Sequence, residues 1–215
     1  MDGWYTWVFS GCGVVIITGV FSYFWAKERF RRILFLDRNH VDKELGTVSE
    51  RFDNANESVY ISGNDCAFVA VAESPKIERL LLRRVRVKII VVDPDSAAPD
   101  MLAKIDPRFH TANAFRESMV TVKSGLRELK RKYPEHFEYK MLPILPALGF
   151  FIIDPHSEKG IVKIELYTAK EWKPIHSRPH LVIKRKERLW RNYFLDQWEN
   201  YWNIAKEDSP NNTFQ

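Results

Sequence analysis

Apolar and polar positions change their spacing several times along this chain, and each change marks an element. Residues 4–25 contain no Lys, Arg, Asp, Glu or Pro. As a helix, such a run is about 33 Å long, against roughly 30 Å of bilayer hydrocarbon. Trp4, Tyr5 and Trp7 stand at one end and Tyr23, Phe24 and Trp25 at the other, as interfacial aromatic belts do. Lys27, Arg29, Arg31 and Arg32 follow at once. A cleaved signal peptide carries its charge before the apolar run. The pattern therefore predicts one membrane-spanning helix over 1–25, with the N-terminus outside and the rest of the chain in the cytosol.

Beyond it the periods shorten. Residues 26–52 read as a helical linker, in which 26–36 set Phe30, Ile33 and Leu34 against the arginines and a piece from His40 to Phe52 is interrupted by Gly46. A domain over 53–206 follows. Ser58–Ser62 reads as a strand ending in the turn-forming Gly63-Asn64-Asp65, and a helix is expected after it. Ser74-Pro75 opens a helix carrying Ile77, Leu80 and Leu81, and 85–92 is a β-branched strand, so the unit reads as a right-handed parallel crossover. Over 109–132, Phe115, Met119, Val122, Leu126 and Leu129 recur at helical spacing, opposite Arg116, Lys123, Arg127 and Lys130. Strands are predicted at 137–142, 149–154, 161–167 and 180–184. A helix over 187–206 is expected to lay Trp190, Phe194, Trp198, Tyr201 and Trp202 on a sheet. Residues 207–215 are polar, contain Pro210, and read as a disordered tail. The fold class is α/β, a mixed and partly parallel sheet flanked by helices.

Composition adds little. Part of the formal net charge of +5 belongs to the juxtamembrane cluster, where it suits anionic headgroups, and no nucleic-acid partner is expected. Of the two cysteines, Cys12 falls in the apolar run and Cys66 in the domain, so no disulfide joins them. The acceptor triplet Asn211-Asn212-Thr213 lies on the wrong side of the membrane for glycosylation.

Chemistry is expected where ligands bind in open α/β sheets, beyond the carboxyl ends of parallel strands. Two polar loops leave such ends here. Ser62 and Asn64 from the first, with Asp93, Asp95 and Ser96 from the second and Arg116 as counter-charge, form the predicted ligand-binding set for a phosphate or nucleotide. Turn chemistry alone also accounts for the loop residues, because Asx and Ser side chains bond to their own backbone. Asp93 with Asp95 lacks a third carboxylate, the histidines lack metal spacing, and no metal or cofactor is expected.

The strand ending in Ser62-Gly63-Asn64, the strand ending in Val92-Asp93-Pro94-Asp95-Ser96, the helix with Arg116, the strand ending in Asp154 and the terminal helix with Trp198 and Trp202 together resemble a phospholipase D-like domain. The resemblance covers about residues 50–206. It is similar to the single-copy form found in bacterial signalling and defence proteins. Active members of that family carry His-x-Lys-x4-Asp, the histidine attacking phosphorus and the lysine neutralising the phosphoryl oxygens. Counting back from Asp154, those positions hold Ala147 and Gly149, and His-x-Lys occurs nowhere else. No catalytic residue is assigned.

The resemblance implies an inner-membrane effector of signalling or antiphage defence. It would bind a phosphate-bearing or nucleotide-like second messenger and act by homo-oligomerisation in the bilayer, where Ser10, Gly11, Gly13, Gly19 and Ser22 offer a small-residue surface. One alternative is a membrane-bound phosphodiesterase or lipid hydrolase with relocated histidines, His156, His176 or His180. Another is a membrane scaffold without ligand.

Overall fold

A computed structural model of the protein describes residues 18–23, 33–167, 178–184 and 186–208. Most of the 4–25 run, the Cys12 and Gly13 positions, His176 and the tail from 209 lie outside the described residues. Residues 18–23 are helical and exposed. Among the described residues no helix is long and apolar enough to cross a membrane.

Seven strands form one sheet. They are β1 (Ile33–Leu36), β2 (Ser58–Gly63), β3 (Arg86–Val92), β4 (Phe137–Leu142), β5 (Leu148–Ile153), β6 (Ile161–Leu166) and β7 (His180–Ile183), in the spatial order β1-β7-β6-β5-β2-β3-β4. β2, β3 and β4 are parallel, whereas the other neighbours are antiparallel. Strand β2 is thus the junction of a parallel and an antiparallel half. The helices packed around the sheet among the described residues are α1 (Arg38–Leu45), α2 (Val48–Asp53), α3 (Ser74–Leu82), α4 (Ala98–Ile105), α5 (Ala112–Lys132) and α6 (Arg188–Ile204), and a π-helical turn spans Phe68–Ala72.

Each face of the sheet buries a separate core. On one, Val59, Ile61, Val87, Ile89 and Phe137 meet Ile77, Leu80 and Leu81 of α3 and the α5 stripe Phe115, Met119, Val122, Leu126 and Leu129. All five stripe residues are buried, as their spacing predicts. On the other face, α6 brings Phe194, Trp198 and Trp202 against Ile90, Phe150, Ile152 and Ile164. Trp198 stacks on Tyr60 at 5.5 Å and meets Phe150 edge-on at 6.2 Å. Aromatic burial of this kind dominates core energetics.

Several expectations need correction. Ile33–Leu36 is not the end of a helix but an edge strand, paired antiparallel with β7. A run of four apolar residues fits either element, and the unpaired edge of β7 decides it. Gly46, at φ 78°, divides the linker piece into two helices. Helix α2 starts with a capping box, in which Thr47 Oγ1 accepts from Glu50 N–H and the Glu50 carboxylate accepts from Thr47 N–H. Thr47→Ala is expected to cost about 1 kcal/mol, measured by urea denaturation. The polar run after β3 holds α4, which the pattern did not foreshadow. Trp190 does not join the buried face of α6. It keeps 45% of its surface exposed, against Tyr193 and Phe194. At the C-terminus, Asp208 is held by Arg127 at 2.6 Å and accepts from Tyr139 Oη at 2.8 Å, so ordered packing reaches beyond 206.

Candidate functional site

Gly63, Leu142, the N-terminal ends of β5 and β7 and the C-terminal ends of β6 and β1 lie along one rim, as the strand registers require. A cavity of about 190 Å³ opens there, on the antiparallel side of β2. Its floor comes from two cross-strand pairs, Glu165–His180 and Phe151–Lys163. In β6, side-chain alternation puts Lys163 and Glu165 on the cavity face and Val162 and Ile164 in the α6 core. Helices α1 and α2 form one wall with Arg38, Asp42 and Arg51, and the Ser62–Cys66 loop with the π-turn forms another. Among the described residues, five cations, Arg38, Arg51, Arg108, Lys163 and Arg178, line the cavity against three carboxylates, Asp42, Asp65 and Glu165.

Most of these charges are paired. Arg51 binds Asp42 at 2.7 Å, Arg108 binds Asp65 at 2.9 Å and Asp106 at 2.7 Å, and Arg178 binds Glu165 at 2.9 Å. Arg38 and Lys163 have no ion pair among the described residues. Lys163 is half-buried with its ammonium 5.5 Å from the Phe151 ring centre. Burial pulls its pKa down to about 8, with Arg51 and Arg38 adding repulsion and Glu165 opposing them. His180 is buried, 3.8 Å from Glu165. Burial and the Lys163 charge lower it to about 4 against the pull of Glu165, so the ring is neutral at physiological pH. Burial pushes the Cys66 thiol and the Tyr167 phenol well above their usual ranges, so both stay protonated.

Among the described residues, Arg51 Nη1, Asn64 Oδ1 and His180 Nδ1 are buried on cavity-lining side chains without a hydrogen-bond partner. Unsatisfied buried groups are costly and rare. Cys66, in the same wall, holds the left-handed φ of 47°, a strain that clusters at functional sites. An arrangement of this kind can hold an anion in a partly dry, positively charged recess.

The structure divides the predicted set. Ser62 and Asn64 line the cavity, although Ser62 Oγ already accepts from Phe150 N–H. Asp93, Asp95, Ser96 and Arg116 do not line it. Asp93 Oδ1 accepts from Asp95 N–H, Ser96 Oγ donates to Asp93 O, and Arg116 donates to Pro94 O and to Asn113 Oδ1. These are the turn bonds that short polar side chains make without any ligand. Lys163, Glu165, Arg38, Arg51, Arg178 and Tyr167 were missed. The alternation in β6 was a signal, but it equally fits a solvent-facing strand.

Ala147, Gly149 and Asp154 hold the motif positions. The Asp154 carboxylate accepts from the backbone N–H groups of Asn56, Glu57 and Ser58, each at 2.8 Å. Its work here is architectural. A β-carbon on Gly149 would lie 2.5 Å from Tyr167 Oη, so the phenol fills the space where a side chain at 149 would begin. Of the candidate histidines, His156 and His180 are among the described residues, and His180 lines the cavity. His156 follows β5 at the opposite rim.

No family model and no curated protein matches this chain. Among solved structures it is similar to phosphatidylserine synthase of Haemophilus influenzae Rd KW20, with a TM-score of 0.51 and 15% identity over 82% of this chain and 39% of that one. It is also similar to Nuc, a phospholipase D family member from Salmonella typhimurium (TM-score 0.47, 16% identity, 82% and 97% of the two chains), and to the archaeal chromatin protein TrmBL2 (0.49, 16%, 90% and 65%). The chain shares the fold of the synthase. At these identities the likeness is one of architecture, and the chain spans 39% of the synthase and 65% of TrmBL2.

Proposed function

We propose that this is a single-pass protein of a bacterial inner membrane whose cytosolic phospholipase D-like domain binds a phosphate-bearing or nucleotide-like ligand without cleaving it. Ligand binding would drive association of the anchors, an effector role in signalling or antiphage defence. The observation that carries the reading is the cavity itself, which among the described residues has more cations than carboxylates and buried polar atoms of Arg51 and Asn64 without a hydrogen-bond partner. Against phosphoryl transfer stand Ala147, whose methyl cannot attack phosphorus, and Gly149, whose hydrogen cannot neutralise the phosphoryl oxygens.

Calorimetric titration of the detergent-solubilised full chain with inorganic pyrophosphate and a nucleotide panel tests this, alongside an assay with bis(p-nitrophenyl) phosphate. Saturable binding, growth in particle mass with ligand, and no turnover above buffer are expected. Turnover would sink the non-catalytic reading.

One observation supports the enzymatic alternative. The imidazole of His180, the amine of Lys163 and the carboxylate of Glu165 share the cavity, the group types that acid–base or nucleophilic phosphoryl chemistry needs. On that reading, His180→Gln abolishes turnover and spares pyrophosphate binding.

A further inference from the structure

Among the described residues, the rim opposite the cavity carries an exposed apolar corner. Ile33, the first residue of β1, pairs with Ile183, the last of β7, so the chain enters the sheet where β7 hands over to α6. Leu189 and Tyr193 on the first turns of α6 are 73% and 49% exposed, with Trp190 beside them. Phe35, 67% exposed, pairs with Leu181, which packs in the α6-side core, so it points to the same side of the sheet. Trp and Tyr with aliphatic neighbours are the composition that settles at a bilayer interface.

Charge around the corner fits an anionic surface. Lys184, Lys186 and Arg188 are exposed between β7 and α6. Lys184 is shared with Glu44 at 2.7 Å, an exposed pair of little strength. Glu187 and Asp196 are the acids on this end of α6. The sequence just before Ile33 adds Lys27, Arg29, Arg31 and Arg32, with Glu28 the only acid among them. Each cation near an anionic leaflet adds to the attraction.

Tether length supplies an independent constraint. Seven residues, 26–32, separate the end of the apolar run from Ile33. Even fully extended they reach roughly 25 Å, and as a helix about 10 Å. The corner therefore cannot stand far from the headgroups.

We infer that the β7–α6 corner docks on an anionic bilayer surface, fixing the domain with its cavity rim turned away from the membrane. This rests on the reading that residues 4–25 cross the membrane. It further requires that the cavity take its ligand from the aqueous phase, because β1 and β7 run from the docked corner at Ile33 and Ile183 to the cavity end at Leu36 and His180.

The test uses the full chain with Cys12→Ser, carrying a nitroxide at Leu189→Cys, Ile144→Cys or Ile16→Cys, in vesicles of equal parts phosphatidylcholine and phosphatidylglycerol. Ile144 is an exposed residue beyond the cavity-side end of β4, and pyrophosphate binding reports that each variant is folded. The ratio of oxygen to aqueous nickel-chelate collisions is expected to be several-fold higher at 189 than at 144, and to fall at 189 in pure phosphatidylcholine or high salt. A lipid-exposed label at 16 with an aqueous label at 189 overturns docking and leaves the anchor standing. An aqueous label at 16 overturns the anchor and the docking with it. Spin–spin broadening at 189 without lipid contact shows that a second copy covers the corner, and also overturns the proposal.

Discussion

Asp154→Ala is expected to destabilise the domain by roughly 3–6 kcal/mol, read as a fall in the urea midpoint. Three backbone N–H groups, of Asn56, Glu57 and Ser58, donate to this one buried carboxylate; leaving the buried Ser58 donor unmet costs about 1–3 kcal/mol, and the two half-buried donors add less each. Asp154 also holds a φ of 45°, which Asp tolerates better than Ala. The loss is a large share of the roughly 5–15 kcal/mol that hold a domain folded. Asp154→Asn keeps one acceptor and the tolerance for that φ, so it should fall between. Equal midpoints for wild type and Asp154→Ala would show that the segment entering β2 does not depend on this residue.

The second large effect is on binding. Lys163→Met keeps the aliphatic stem and removes the half-buried cation, and pyrophosphate affinity should fall about 30–100-fold, the equivalent of roughly 2–3 kcal/mol for a charge-assisted contact. Stability should move the other way. The folded pKa of about 8 lies below the ordinary 10.5, so the fold favours the neutral amine, and the cost of holding the ammonium is full below pH 8 and fades as pH rises toward 10.5. Anion binding has the opposite sign, because it uses the ammonium. The ratio of wild-type to Lys163→Met affinity should be greatest below pH 8 and approach one above it, with the titration of pyrophosphate itself cancelling in the ratio. A ratio independent of pH would remove Lys163 from the site.

How much of this could be read from the residues varies with range. Helix α5 was legible because its five-residue stripe repeats a local period, and the β2–α3–β3 unit because Ser74-Pro75 and the run at 85–92 are local signals. Strand β1 was not, since its four apolar residues acquire meaning only from the free edge of β7, about 150 positions away. The cavity was half legible for the same reason. Rules for parallel strands led to Ser62 and Asn64, but Arg38, Arg51, Lys163 and His180 come from the antiparallel half and from α1 and α2, and no local spacing ties them together. Asp93, Asp95 and Ser96 carried turn chemistry that looks the same whether or not a ligand is near. Trp190 sat at the right spacing for the α6 stripe and still escaped burial, because periodicity gives a helix face and not how far the partner surface extends.

Tyr167 makes position 149 selective about what can replace its glycine. A larger residue there meets the phenol oxygen where its first side-chain carbon must go, so the tyrosine has to swing aside before anything bulkier fits. Paired changes at 149 and 167 should therefore be tolerated better than a change at 149 alone.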